Sequence, residues 1–310
     1  MFKLLLLIIP FVPFMVFAVY FIYTGFKYTR MISNIFLSLV YNPPAETLIS
    51  SMGEKMVILD SSDREIEVLV VEKKGSERLV IFCHESGMSK ESWEKYAYFI
   101  PRLGFNVLSL DFREKSKESE INSLSQWPAR EDVERVLKTI HWAKRAFKPD
   151  VQIVLFGISN GADIALAASF EEPAVRGIIA DGLFSMKEIF RDYIRKWAPI
   201  LVKPNFFGEN YPDWLVNTFT NLSFWYSQKR SRKRFVDVER LLKKRHKPLF
   251  MIHGEEDDYV PGTHQRFLEK LMAHKGNFER LIVPKARHNQ AVILGKELYE
   301  RKITEFLGKL

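Results

Sequence analysis

The sequence predicts an α/β protein: a mostly parallel sheet with helices on both faces. Three observations predict it. Short apolar runs at residues 79–83, 107–111, 151–156, 177–181, 249–253 and 281–283 alternate with segments of helical periodicity. Most of these runs are continuously apolar rather than alternating, as strands buried on both faces are. The run at 151–156 leads into Gly157-Ile158-Ser159-Asn160-Gly161 and then an Ala-rich stretch, so strand, tight turn and helix follow one another directly.

The chain has 310 residues, long enough for one large α/β domain with additions, and 47% of them are hydrophobic, enough for an extensive core. Cys83 is its single cysteine, which excludes an internal disulfide. Residues 4–23 carry no charge. Twenty helical residues rise roughly 30 Å, the thickness of a bilayer core. Pro10 and Pro13 are tolerable there, and Tyr20, Tyr23 and Tyr28 fit one interface. A cleaved signal peptide would have a shorter apolar core of roughly 7–15 residues and end in small residues. Large residues end this one, so the expectation is an uncleaved, single-pass signal anchor over residues 1–30 and a membrane location. Lys3 flanks one side and Lys27 with Arg30 the other, so charge does not orient it.

Residues 31–54 read as an amphipathic linker, with Ile32, Ile35, Phe36, Leu39 and Val40 on one helical face and Asn42-Pro43-Pro44 as its stop. The remaining domain is expected over residues 55–310. Residues 55–59 and 65–71 alternate around the turn Asp60-Ser61-Ser62-Asp63 and predict an antiparallel pair. A helix is expected at 92–103, and a long one after Pro128 with Val133, Val136, Leu137, Ile140 and Phe147 on one face. Further helices are expected near 264–274 and 295–307.

At about residues 185–235 the alternation lapses and aromatics accumulate: Phe190, Tyr193, Trp197, Phe206, Phe207, Tyr211, Trp214, Phe219, Phe224, Trp225 and Tyr226. This predicts a helical cap inserted between two strands, its rings forming either its own core or an apolar substrate wall. The net charge is +8, and residues 229–247 are strongly basic. No nucleic-acid motif accompanies that charge, so it is expected to be a solvated face, with anionic lipid headgroups as the other reading.

The chemistry starts at Ser159. A serine hydroxyl becomes nucleophilic when a base takes its proton, and the base needs an acid to orient it. Both belong on loops beyond later strands. After the strand at 249–253 come Glu255, Glu256, Asp257 and Asp258, any of which could orient a base; after 281–283 comes His288. His84, His141, His246, His253, His264 and His274 read as structural or surface residues. An oxyanion hole needs two backbone donors. One is the N–H of Asn160, and the other should come from the loop His84-Glu85-Ser86-Gly87-Met88.

Residues 55–310 resemble the α/β-hydrolase superfamily, most closely its membrane-anchored branch similar to serine aminopeptidases and monoacylglycerol lipases. Gly254-x-x-Asp257-x-x-Val260-Pro261 resembles a pattern common in that family and aligns Asp257 as the acid. His288 matches the histidine of its small-x-His. The loop after residue 83 resembles His-Gly-x-Gly and assigns the second oxyanion N–H to Ser86, with Glu85 in place of a glycine. Asp111-Phe112-Arg113 resembles a strand end of the family, but Glu114-Lys115-Ser116-Lys117 replaces its usual continuation.

The resemblance implies an α/β-hydrolase fold and a serine hydrolase with Ser159 as nucleophile, His288 as base and Asp257 as orienting acid. No cofactor or metal is called for. The expected substrate is a small carboxylic ester or thioester with a lipid-like acyl group. Two alternatives stay open. One is an aminopeptidase-type peptidase, for which Glu188, Asp192, Glu209 and Asp213 could hold an α-amine. The other is a membrane-bound binding module that keeps the fold without the chemistry. Oligomeric state is not legible.

Overall fold

A computed structural model describes residues 11–38, 51–59, 65–112, 127–201, 212–272 and 276–310. It divides into two units, Met1–Leu39 with Lys187–Arg232, and Val40–Met186 with Lys233–Leu310. In chain order the helices are α1 (Val12–Ser38), α2 (Trp93–Ala97), α3 (Arg130–Ala146), α4 (Asn160–Glu171), α5 (Met186–Leu201), α6 (Asp213–Ser231), α7 (Val238–Lys244), α8 (Gly262–Met272), α9 (Ala291–Leu294) and α10 (Lys296–Leu307). The strands are β1 (Glu54–Leu59), β2 (Glu65–Val71), β3 (Arg78–Cys83), β4 (Asn106–Leu110), β5 (Gln152–Ile158), β6 (Val175–Asp181), β7 (Leu249–Gly254) and β8 (Phe278–Val283).

In the larger unit the strands form one sheet in the order β1-β2-β4-β3-β5-β6-β7-β8. β1 and β2 pair antiparallel, as their alternating pattern predicts, and β2 runs antiparallel to β4. All later pairings are parallel. Two-residue periodicity sorts the side chains into two cores. Leu79, Ile81 and Cys83 of β3 and Ile153 and Leu155 of β5 face the core that holds α3 and α4. Val80, Phe82, Val154 and Phe156 face the other, with Trp93, Tyr96, Tyr299 and Phe306. In α3, Val133, Val136, Ile140 and Ala143 are buried along one face. Every residue of α4 from Asn160 to Ser169 is buried, which explains its small side chains.

The continuous helix expected at 92–103 is instead the short α2 flanked by 3-10 turns at Lys90–Ser92 and Ile100–Leu103. Pro101 lacks the N–H that a longer helix needs, and Gly104 at φ 84° ends the segment. Asp237 caps α7 by accepting the Arg240 N–H at 3.2 Å. Within the basic stretch, Arg245 is buried and donates to the carbonyls of Gly276 and Asn277, each at 3.0 Å. Lys247 donates to the Glu172 carbonyl at 2.6 Å. These two cations tie loops together rather than forming a solvated face. The expected features at 60–63, 42–44, 114–117, Arg113, Phe206, Phe207, Glu209, Tyr211 and His274 lie outside the described residues.

The smaller unit is helical. α1 runs unbroken through the boundary expected at residue 30. Its C-terminal half is packed: Thr29 and Ser33 are buried, and Ser33 Oγ lies 2.7 Å from Ser227 Oγ of α6. The Phe36 and Phe190 rings stack at 3.9 Å, and Phe190 meets Phe224 edge-on. Some of the cap's aromatics therefore build its own core, while Trp197, Trp214 and Trp225 are exposed. The N-terminal half of α1 is bare, with Phe14 and Ile22 each 70% exposed. Among the described residues no helix is long and apolar enough to cross a membrane. The span expected at 4–23 starts outside them.

One buried ion pair fixes the loop after β3. Lys90 Nζ donates to Asp111 Oδ2 at 2.7 Å and Glu67 Oε2 at 3.0 Å, and its own N–H donates to Asp111 Oδ1 at 2.6 Å. Removing one partner of such a group leaves buried charge uncompensated. Lys90→Met should therefore destabilise the protein by about 3 kcal/mol, read as a lowered midpoint in thermal unfolding.

Candidate active site

β5 ends in a turn that few residues can make. Ser159 sits at φ 54° and ψ −120°, a left-handed conformation costing roughly 1–3 kcal/mol for a residue with a side chain. Three backbone hydrogen bonds hold it: its N–H donates to the Asp181 carbonyl at 2.7 Å, and its carbonyl accepts from the N–H groups of Ala162 at 2.9 Å and Asp163 at 3.4 Å. The flanking glycines are required by space. A Cβ on Gly157 would lie 2.3 Å from the Gly161 carbonyl oxygen, and one on Gly161 would lie 2.2 Å from that of Cys83. The turn thus lifts Ser159 beyond the sheet at the N-terminus of α4, where the helix dipole favours negative charge.

The same device joins the next two loops. A Cβ on Gly254, at the end of β7, would lie 2.3 Å from the Ala286 carbonyl oxygen. The Glu256 N–H donates to that carbonyl at 2.9 Å, which locks the acidic loop to the segment carrying His288. Of the four acids in this loop, Glu255, Glu256 and Asp258 are exposed and Asp257 is buried. Asp257 Oδ1 accepts from the N–H groups of Tyr259 at 2.9 Å and Val260 at 2.7 Å. Its Oδ2 lies 2.7 Å from His288 Nδ1, and His288 Nε2 lies 2.9 Å from Ser159 Oγ. Because a carboxylate only accepts, the proton of this pair belongs on Nδ1, leaving Nε2 to accept the serine hydroxyl.

The loop holding Ser86 follows β3, whose last carbonyl is pressed against Gly161 at the start of α4. Asn160 is the first residue of α4, where the helix supplies no carbonyl for its N–H. The Glu85 side chain is buried, and its Oε1 accepts from the Tyr96 hydroxyl at 2.7 Å. Tyr96 belongs to the core on the sheet face away from α4, so this oxygen is tied to that core. His84 bonds the Glu85 carbonyl through Nδ1 at 2.7 Å and accepts the Phe112 N–H, a structural role. His141 is exposed beside Glu172, and His253 is buried, which pushes its pKa down.

Sequence reasoning passes over two residues here. Asp181 ends β6 and is fully buried, and the Tyr299 hydroxyl donates to its Oδ2 at 3.0 Å. Burial pushes the Asp181 carboxyl up to about 7 against the pull of Tyr299 and His288. A charged residue closing the apolar run at 177–181 is the signal available in the sequence. Among the described residues of this unit, no three His, Cys, Asp or Glu side chains converge as a metal site requires.

No family model matches the chain. It is 24% identical over 238 residues to an uncharacterized protein, YqkD, of Bacillus subtilis, covering 74% of this chain and 71% of that one. Solved structures are similar at lower identity. An esterase of Pyrococcus furiosus, Pf2001, aligns with a TM-score of 0.61 and 21% identity over 87% of this chain and 95% of its own. Est1E of Butyrivibrio proteoclasticus aligns at 0.56 and 18%, covering 83% of this chain and 99% of its own. A thermophilic esterase of Thermogutta terrifontis, in a butyrate-bound structure, aligns at 0.57 and 15%, covering 84% and 93%. The fold is the α/β-hydrolase fold, with an eight-stranded, mostly parallel sheet.

Because the Gly161 Cβ position is filled by backbone, Gly161→Ala must push α4 away from β3. The expected cost is roughly 3 kcal/mol, the upper end for overpacking, measured by chemical denaturation.

Proposed function

We propose that the chain is a membrane-anchored serine hydrolase that cleaves a carboxylic ester or thioester through an acyl-enzyme. One observation carries the reading: the continuous hydrogen-bonded line from Ser159 Oγ through His288 to Asp257, at 2.9 and 2.7 Å. His288 Nε2 takes the Ser159 proton as Oγ bonds to the acyl carbon, and Asp257 stabilises the imidazolium that forms. The oxyanion is received by the N–H groups of Asn160 and Ser86. Collapse expels the alcohol or thiol, which leaves with the proton from Nε2. Water then repeats the two steps on the acyl-enzyme, releasing the acid and restoring Ser159. The esterases among the structural neighbours support this chemistry by analogy.

Support for the anchor comes from α1. Residues 11–26 carry no charge, and the large apolar side chains there are exposed. A surface of that kind is costly in water and natural in lipid. It also supports a lipid-like acyl group, since an enzyme held at a bilayer meets such substrates first.

A fluorophosphonate probe should label the intact, detergent-solubilised chain and leave Ser159→Ala unlabelled. Asp257→Asn should slow labelling roughly a thousandfold or more, because the imidazole loses its tautomer. A folded protein that takes no label would sink the hydrolase reading. Long-chain p-nitrophenyl esters should outperform short ones, and equal rates would remove the lipid-like substrate. Expressed in full, the chain should stay in the membrane pellet after an alkaline carbonate wash, and release into the supernatant would remove the anchor.

A further inference from the structure

The strand end at Asp181 and Gly182 touches both the nucleophile and the base. The Asp181 carbonyl accepts the Ser159 N–H at 2.7 Å. The next residue, Gly182, at φ 71°, leaves space for His288: a Cβ there would lie 3.1 Å from the imidazole Cε1 and 3.6 Å from Nδ1. The Asp181 side chain is 1% exposed, and the Tyr299 hydroxyl, itself fully buried on α10, donates to its Oδ2 at 3.0 Å. So a dry carboxyl group, with the Tyr299 hydroxyl as its side-chain donor, sits one residue before the glycine that faces His288. The hydrolase mechanism above does not use it.

We propose that Asp181 is a second positioning residue for His288: a buried carboxylate, steadied by Tyr299, that stabilises the imidazolium formed when Ser159 gives up its proton. The role rests on the hydrolase reading. The groups that act on Asp181 come from every side. His288 from the loop after β8 and Tyr299 from α10 favour its charged form, while burial, Asp257 after β7 and Glu85 after β3 disfavour it. His253 on β7 lies one residue past Ile252, the register partner of Asp181. Glu85 is in turn bonded by Tyr96. Together these influences leave the carboxyl titrating at about 7, where modest changes of pH charge or neutralise it.

The sign follows from charge. His288 is neutral when it awaits the serine proton and cationic in the transition state. A nearby carboxylate therefore stabilises the transition state more than the ground state, which raises kcat and leaves KM alone. Below its own titration Asp181 is neutral and this help disappears. Hydrolysis should rise with a limb near pH 7 that belongs to Asp181.

The test uses the full chain in detergent micelles. Asp181→Asn keeps an acceptor for Tyr299 and removes the charge. Above pH 7 its kcat should fall about tenfold, the factor equivalent to one pH unit, with KM unchanged and the limb near 7 gone. Tyr299→Phe removes the donor that favours the charged form, so the limb should move to higher pH; this variant decides the matter if Asp181→Asn does not fold. In protein labelled with carboxyl-13C aspartate, the resonance missing from Asp181→Asn should titrate near 7 and move upward in His288→Gln. A pH profile of unchanged shape in both variants would overturn the role, as would an Asp181 resonance indifferent to His288→Gln. If the chain hydrolyses nothing, the hydrolase reading fails on its own, and the 13C response to His288→Gln still decides the coupling.

Discussion

Everything in the larger unit that resembles a site depends on one close approach, that of Gly161 to the last carbonyls of β3. With a Cβ position 2.2 Å from the Cys83 oxygen and 2.5 Å from that of His84, the first turn of α4 can sit there only without a side chain. That contact forces the sharp turn at Ser159, sets its positive φ, and brings the loop after β3 level with the nucleophile. Gly254 repeats the solution one pair of strands away, against Ala286. Gly161 in the first turn of α4 and Gly254 at the end of β7 thus bring four loops, those after β3, β5, β7 and β8, to one edge of the sheet. The strain at Ser159 persists because the surrounding backbone leaves no alternative.

Electrostatics then divides the labour among the buried acids. Asp257 accepts two backbone N–H groups and faces His288, so its charge is satisfied by geometry. Asp181 has a single phenolic donor and Glu85 another. Asp257 faces the imidazole that takes the serine proton, whereas Asp181 and Glu85 are tied to Tyr299 and Tyr96. The same charges would oppose an oxyanion. Tying Glu85 Oε1 to Tyr96 is one way to hold the loop's shape while limiting that conflict.

The sequence carried the strand order's ingredients, the elbow and the line of Ser159, His288 and Asp257 because each is encoded locally. An apolar run, a glycine spacing or a strand followed by an acid can be read without knowing what packs against it. The choice of one acid among four neighbours needs the family pattern, because burial, which sets Asp257 apart from Glu255, Glu256 and Asp258, is not written in the local sequence. What was illegible is long-range. Asp181 and Tyr299 are 118 residues apart, and nothing near either one announces the other. The direction of Glu85 depends on Tyr96, and the roles of Arg245 and Lys247 depend on loops far along the chain. Charge runs read as solvated faces unless the carbonyls they satisfy are known. The helix expected at 92–103 breaks up around α2 for a local reason, since Pro101 lacks the N–H that a longer helix needs.

α1 shows how one helix can carry two different surfaces. From Thr29 onward it meets α6 through small polar side chains, Thr29 and Ser33 against an α6 face with buried Thr220, Ser223 and Ser227. Small residues let two backbones come close, and Ser33 and Ser227 satisfy one another across the pair. Such an interface does not need the large hydrophobic driving force of water. Lys27 and Arg30 stand where the bare apolar half gives way to the packed half. A helix whose second half belongs to the core of the smaller unit makes its bare half and that core one body, so whatever engages the first must move the second.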